Sequence, residues 1–189
     1  SSRHGRDSMK REQLGHLLRA IADATGEVDM LVIGSQAILG SHDEFELPPE
    51  TTLSMEADIG FLDDPDEEKS DLIDGVVGEL SPFHASFGFY GQGVSVRTAV
   101  VPDGWRERLV PFAGPATGGA RGWCLEPHDL VVSKLVRGDP RDYRFADALV
   151  RAGYVGLDIV AERLLTTPRI GDATRARIAS CDCRIPHAQ

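Results

Sequence analysis

The sequence predicts an α/β (α+β) fold, a small sheet flanked by helices with a helical C-terminal portion. Three observations carry this. A helix-period segment precedes a short aliphatic strand, a second strand alternates apolar with polar residues, and the chain from Pro127 onward keeps helical spacing.

From Lys10 to Thr25, Leu14, Leu17, Leu18 and Ile21 recur at i, i+3, i+4 and i+7, and Gly26 supplies a stop. Val28 to Ile33 reads as a buried strand that turns at Gly34-Ser35 into a short helix ending at Gly40. Acids and the Pro48-Pro49 pair make 41–51 a surface loop. Leu53, Met55, Ala57, Ile59 and Phe61 then alternate with Ser54, Glu56, Asp58 and Gly60, the pattern of a strand with one apolar face. Leu72, Ile73, Val76, Val77 and Leu80 restore helical spacing between Asp66 and Leu80. The stretches 84–90 and 94–101 flank Gly91-Gln92-Gly93 and predict a hairpin. A Gly-rich loop at 115–122 leads into a helix that starts at Pro127 and stops near Gly138. Further helices are expected near 143–152, 157–165 and 174–179. With no repeat and no low-complexity linker, one continuous domain over 1–189 is expected, with a core over 9–113 and a helical portion over 123–189.

The chain of 189 residues is 41% apolar and 26% charged, enough for a real core. Its net charge of −10 argues against a nucleic-acid ligand. That figure hides a split. Residues 41–80 hold 14 of the 30 acids but one of the 20 basic residues, a net −13, so the remaining 149 residues, with 19 basic and 16 acidic, carry +3. The basic part is mostly arginine, suited to phosphate forks. An acidic block beside an Arg-rich remainder is compatible with a metal site next to a polyanion.

Cys124, Cys181 and Cys183 are odd in number and lack zinc-ligand spacing or a disulfide framework; the Cys-x-Cys pair is read as inert. No apolar run approaches the roughly 18 residues of a membrane span and there is no signal-peptide core, so a cytoplasmic protein without membrane contact is expected.

The residues that point to chemistry are Gly34-Ser35 after the first strand and Glu56-x-Asp58 on the second. Residues i and i+2 of a strand project from one face, so both carboxylates can serve one small volume. Mg²⁺ prefers one or two carboxylates completed by substrate phosphates, and a Gly-Ser strand-to-helix turn offers N–H groups to phosphate oxygens. Each feature alone has an ordinary explanation as a turn, a cap or a solvated strand face. In this order they describe a metal-bridged triphosphate site. Lys134, one of three lysines, can place an ammonium on a triphosphate or simply snorkel at the core edge. Arg137, Arg141 and Arg144 suit a phosphate or a solvated helix face. The Walker P-loop, dinucleotide-binding and nucleophile-elbow motifs are absent.

Leu31-Val-Ile-Gly34-Ser35-Gln-Ala-Ile, Ser54-Met-Glu56-Ala-Asp58-Ile-Gly-Phe, Glu126-Pro-His-Asp-Leu-Val-Val-Ser-Lys134-Leu and Arg141-Asp142 together resemble the nucleotidyltransferase-fold toxins of the AbiEii/MenT group. These belong to the polymerase-β-like superfamily, and the match spans roughly 28–149. The resemblance implies a polymerase-β-like nucleotidyltransferase sheet over 9–113, with Gly34 and Ser35 on the β and γ phosphates of an NTP and Glu56 and Asp58 on Mg²⁺. Lys134, with Arg137, would bind the nucleotide, and Asp142 would assist at the acceptor or metal side, with Asp147 as its rival. It further implies a toxin that adds nucleotides to the 3′ end of tRNA, blocks translation and is restrained by a cognate antitoxin. Glu56 departs from the family's usual aspartate by one methylene, and the expected hairpin offers no third carboxylate. Ser54 shares the predicted strand face with Glu56 and Asp58, so a phosphate there would add about −2 charge beside the metal and block NTP binding. Transfer to a protein or small molecule, and a non-enzymatic partner-binding module, are the alternatives.

Overall fold

The computed structural model describes residues 8–181. Helix α1 (Arg11–Thr25) leads into β1 (Asp29–Val32), a 3-10 turn (Ser35–Gly40) and β2 (Glu56–Gly60). Helices α2 (Glu68–Val77) and α3 (Pro82–Phe87) precede β3 (Tyr90–Gly93). Strands β4 (Val110–Phe112) and β5 (Arg121–Cys124) complete the sheet, and α4 (Pro127–Arg137), α5 (Pro140–Arg151), α6 (Leu157–Leu165) and α7 (Asp172–Cys181) follow. The strand order is β3-β2-β1-β5-β4. β1 runs antiparallel to β2 and parallel to β5, β2 runs parallel to β3, and β4 closes the far edge antiparallel to β5. This is the expected mixed sheet flanked by helices. Among the described residues, no helix is long and apolar enough to cross a membrane.

Strand alternation and register divide the sheet into two unlike faces. Met30, Val32, Ala57, Ile59, Gly91, Gly122 and Cys124 share one face and are all buried. Asp29, Glu56, Asp58, Tyr90, Gln92 and Trp123 share the other, where each keeps some exposure. The apolar stripe of α1 explains the first face: Leu14, Leu17, Leu18 and Ile21 are at most 1% exposed. A methyl at Gly122 would come within 2.8 Å of Leu18, and one at Gly91 within 3.4 Å of Leu17 and 3.3 Å of Val77. Glycine in these strands lets α1 and α2 lie close against the sheet.

The hairpin expected around Gly91-Gln92-Gly93 is not formed. Ser81 accepts a hydrogen bond from the His84 amide, Pro82 occupies the first turn, and Gly88 ends α3 with φ 77°. Residues 84–87 are therefore helical, and the Gly-Gln-Gly segment is itself strand β3, reached from β2 by a helical crossover. A Cβ at Gly93 would overlap the Ser70 carbonyl. The glycines answer the approach of α2, whereas the sequence pattern marks a turn. Residues 96–98 form a 3-10 turn where a strand was expected, and β5 falls at the end of the expected loop. The second strand starts at Glu56 and leaves Ser54 outside it; the Ser54 hydroxyl accepts from the Glu56 amide at 3.0 Å and donates to the Glu56 carbonyl at 3.3 Å. Strand alternation therefore does not place Ser54 on the face of Glu56 and Asp58.

Several acids of the 41–80 block have local duties. Asp64 accepts from the Lys69 and Ser70 amides and from the Ser70 hydroxyl at the start of α2, and Asp74 accepts from the Gly93 amide at 2.7 Å. Cys124 is a free, buried thiol, and burial pushes its pKa up to about 12. Cys183 lies outside the described residues.

On α4, Asp129 is fully buried. Arg108 grips it through Nε at 2.8 Å and Nη2 at 3.0 Å, Arg163 of α6 adds a contact at 3.1 Å, and Arg163 also bonds Glu126. This network ties the 103–109 segment to α4 and α6. Asp129→Asn is expected to lower stability by about 2–3 kcal/mol, because charge-assisted bonds to a fully buried carboxylate are lost. Urea denaturation checks this.

Candidate active site

The site is built at the end of β1 and on the polar face of β2. β1 ends at Val32, and Gly34 and Ser35 open the 3-10 turn, which Gln36 fixes by donating from Nε2 to the Ser54 carbonyl at 2.7 Å. That bond draws the turn toward the start of β2. Because β1 and β2 are antiparallel neighbours, with the Ile33 amide donating to the Asp58 carbonyl at 3.2 Å, Asp58 lies directly beside Gly34. A Cβ on residue 34 would overlap Asp58 Oδ2. Only glycine lets this carboxylate stand so close to the turn.

Glu56 and Asp58 share one face, as the strand period requires, and interact. Burial first, then the charge of Glu56 and a hydrogen bond with it, push the Asp58 pKa up to about 6, against the opposing pull of Lys134 and Arg137. Tyr90, in register with Glu56 on β3, donates its hydroxyl to Glu56 Oε2 at 2.8 Å. Burial and the bond to Glu56 push this phenol up to about 12.

Helix α4 delivers the cation. Glu126 caps it by accepting from the His128 and Asp129 amides, Pro127 takes the first turn, and Gly138 ends it in the left-handed region at φ 76°. Leu130 and Val131 are buried, so Lys134 is turned toward β1 with its side chain 9% exposed. Its Nζ donates to Ser35 Oγ at 2.5 Å, lies 3.6 Å from Asp142 Oδ1 and sits 4.8 Å above the Phe145 ring. Burial, then repulsion from Arg137, lowers its pKa, with Asp142 and Asp58 opposing.

Asp142, on α5, is 1% exposed and fully engaged. Arg137 forks it through Nε at 2.8 Å and Nη2 at 2.5 Å, and the Asp139 amide donates at 3.1 Å. Burial opposes ionisation, but the Arg137 guanidinium outweighs it and holds the carboxyl below its ordinary range. The structure thus brings Asp142 to Lys134 and Arg137. Asp147, its rival from sequence, pairs with Arg151 at 2.5 Å and lines a separate groove among α5, α6 and α7.

Gly34, Asp58, Lys134 and Arg137 open onto one cleft of about 340 Å³, whose walls include Ile33, Val94, Val100, Leu130 and Val136. The lining combines charged groups with apolar side chains, as ligand sites commonly do. Two carboxylates beside a glycine turn and a lysine match the donor chemistry of Mg²⁺ completed by phosphate oxygens. Among the described residues no group of three or more His, Cys, Asp or Glu gathers as a metal cluster, so phosphates and water would supply the other ligands.

A family model described as a nucleotidyltransferase of unknown function (DUF6036) matches residues 12–178. The chain belongs to this nucleotidyltransferase family. The match spans α1 through most of α7, so it takes in the sheet, the carboxylate pair and the helices that carry Lys134 and Asp142. No curated protein and no solved structure gives a match. Within this nucleotidyltransferase, the feature that the sequence pattern does not reveal is Tyr90: its link to Glu56 depends on a parallel pairing, and the two glycines after it read as a turn.

Proposed function

We propose that the protein transfers a nucleoside monophosphate from an NTP to the 3′ end of tRNA, as a toxin restrained by a cognate antitoxin. The observation that carries the transferase chemistry is the meeting of Ser35 Oγ and Lys134 Nζ, 2.5 Å apart, at the turn beside Asp58. Glu56 and Asp58 would hold Mg²⁺, which supplies positive charge to the attacking and leaving oxygens when bound. Ser35 and the turn amides receive the β and γ phosphates, and Lys134 and Arg137 oppose the charge that grows on pyrophosphate as it leaves. Asp142 acts here as a positioning residue: it holds both cations at the cleft. The ribose hydroxyl attacks the α-phosphorus in line as the bond to pyrophosphate breaks, and its proton is released to solvent.

The RNA substrate and the antitoxin are supported by the likeness of the four motifs to the AbiEii/MenT toxins and by the net +3 outside the acidic block. A small basic surplus suits a short RNA footprint such as an acceptor end. Incubating the protein with α-phosphate-labelled NTPs, Mg²⁺ and total tRNA tests the reading. Label at the tRNA 3′ end is expected. Label in protein or a small molecule would move the acceptor to another class, and no label with any acceptor would favour a binding module.

A further inference from the structure

Tyr90 sits in the middle of a chain of contacts that ends on Glu56. Its hydroxyl donates to Glu56 Oε2 at 2.8 Å, and it is itself braced: the His84 ring lies 4.6 Å from the Tyr90 ring at 44°. His84 is fixed in turn, because the Leu80 amide donates to its Nδ1 at 3.0 Å. A chain of contacts therefore runs from α3 through an imidazole and a phenol to one oxygen of Glu56. Asp58 is held differently: it shares a hydrogen bond with Glu56 itself and stands packed against Gly34.

The asymmetry follows from side-chain length. Glutamate has one more rotatable bond than aspartate, and fixing it costs more conformational entropy. A carboxylate held before the ligand arrives avoids part of that cost, as outer partners of metal ligands commonly arrange. We propose that Tyr90 is a positioning residue for Glu56: its hydroxyl selects the side-chain conformation that keeps the carboxylate beside Asp58 and so makes the longer residue a competent cation ligand. The inference rests on Glu56 and Asp58 being that cation's ligands.

The experiment measures Mn²⁺ binding to the nucleotide-free protein by the loss of the free-ion electron paramagnetic resonance signal, because an NTP would itself chelate the ion. Wild type, Glu56→Gln, Tyr90→Phe, Glu56→Asp and the double variant Glu56→Asp/Tyr90→Phe are compared. Tyr90→Phe is expected to weaken binding about 10-fold or more in the Glu56 background, the size typical of a lost outer partner. In the Glu56→Asp background the same change is expected to alter binding by no more than about twofold, because the shorter side chain does not need the clamp. Equal weakening in both backgrounds, or none in either, overturns the role of Tyr90. Undiminished binding by Glu56→Gln instead overturns the ligand assignment itself. If Tyr90→Phe melts early, His84→Ala carries the same comparison, since it leaves the hydroxyl but removes its brace.

Discussion

Asp58→Asn is expected to reduce nucleotidyl transfer by about 10²–10³-fold, the scale on which removal of one charge-stabilising group acts. The substitution is nearly isosteric, so the contact with Gly34 persists. It removes a negative charge where β2 meets the Gly34-Ser35 turn. Folding should not suffer. Burial and then Glu56 disfavour ionisation of the Asp58 carboxyl in the folded protein and push its pKa up to about 6, above its ordinary value. Its charged form therefore opposes folding increasingly as pH rises from about 4 through 6, and asparagine removes that penalty. Initial rates of label transfer, set beside the thermal midpoint at pH 7, separate the two effects. A wild-type rate would take Asp58 out of the chemistry, and a collapsed midpoint would show a structural role.

Lys134→Ala is expected to lower kcat/KM for the NTP by about 10²-fold or more, through both a raised KM and a lowered kcat. The ammonium would meet the triphosphate in the ground state and the leaving pyrophosphate in the transition state, so both parameters respond. Asp142 keeps its Arg137 fork in this variant and is not stranded. Lys134→Arg is expected to restore little. Nζ fits between Ser35, Asp142 and the Phe145 ring, and a planar, longer guanidinium cannot occupy the slot of a point charge. Steady-state rates over a range of NTP concentrations decide it: an unchanged KM with a lowered kcat would confine Lys134 to the leaving group.

The parts of the fold written into local pattern are legible in the sequence. α1, β1, the Gly34-Ser35 turn, the face shared by Glu56 and Asp58, and α4 with its Pro127 start and Gly138 stop all follow from periods and caps spanning a dozen residues or so. What is not legible depends on distant neighbours. β3 contains Tyr-Gly-Gln-Gly, and its glycines make sense only once Leu17, Val77 and the Ser70 backbone are seen pressing on them. β5 is four residues long, Arg-Gly-Trp-Cys, and its place between β1 and β4 comes from pairing with β1 across 92 residues of chain. For the same reason the residue types of the candidate site are readable while their partnerships are not. Nothing local tells Lys134 to reach Ser35, or Tyr90 to reach Glu56.

The contact between Ser35 and Lys134 joins residues 99 positions apart. During synthesis the carboxylate pair and the glycine turn leave the ribosome long before α4 does, and Asp142 follows later still. A nascent or prematurely terminated chain that stops short of residue 134 therefore carries the anionic half of the cleft without its cation. Emergence and docking of α4 and α5 are what complete the cleft, so the timing of translation itself withholds the meeting of Ser35 and Lys134 until those helices are made.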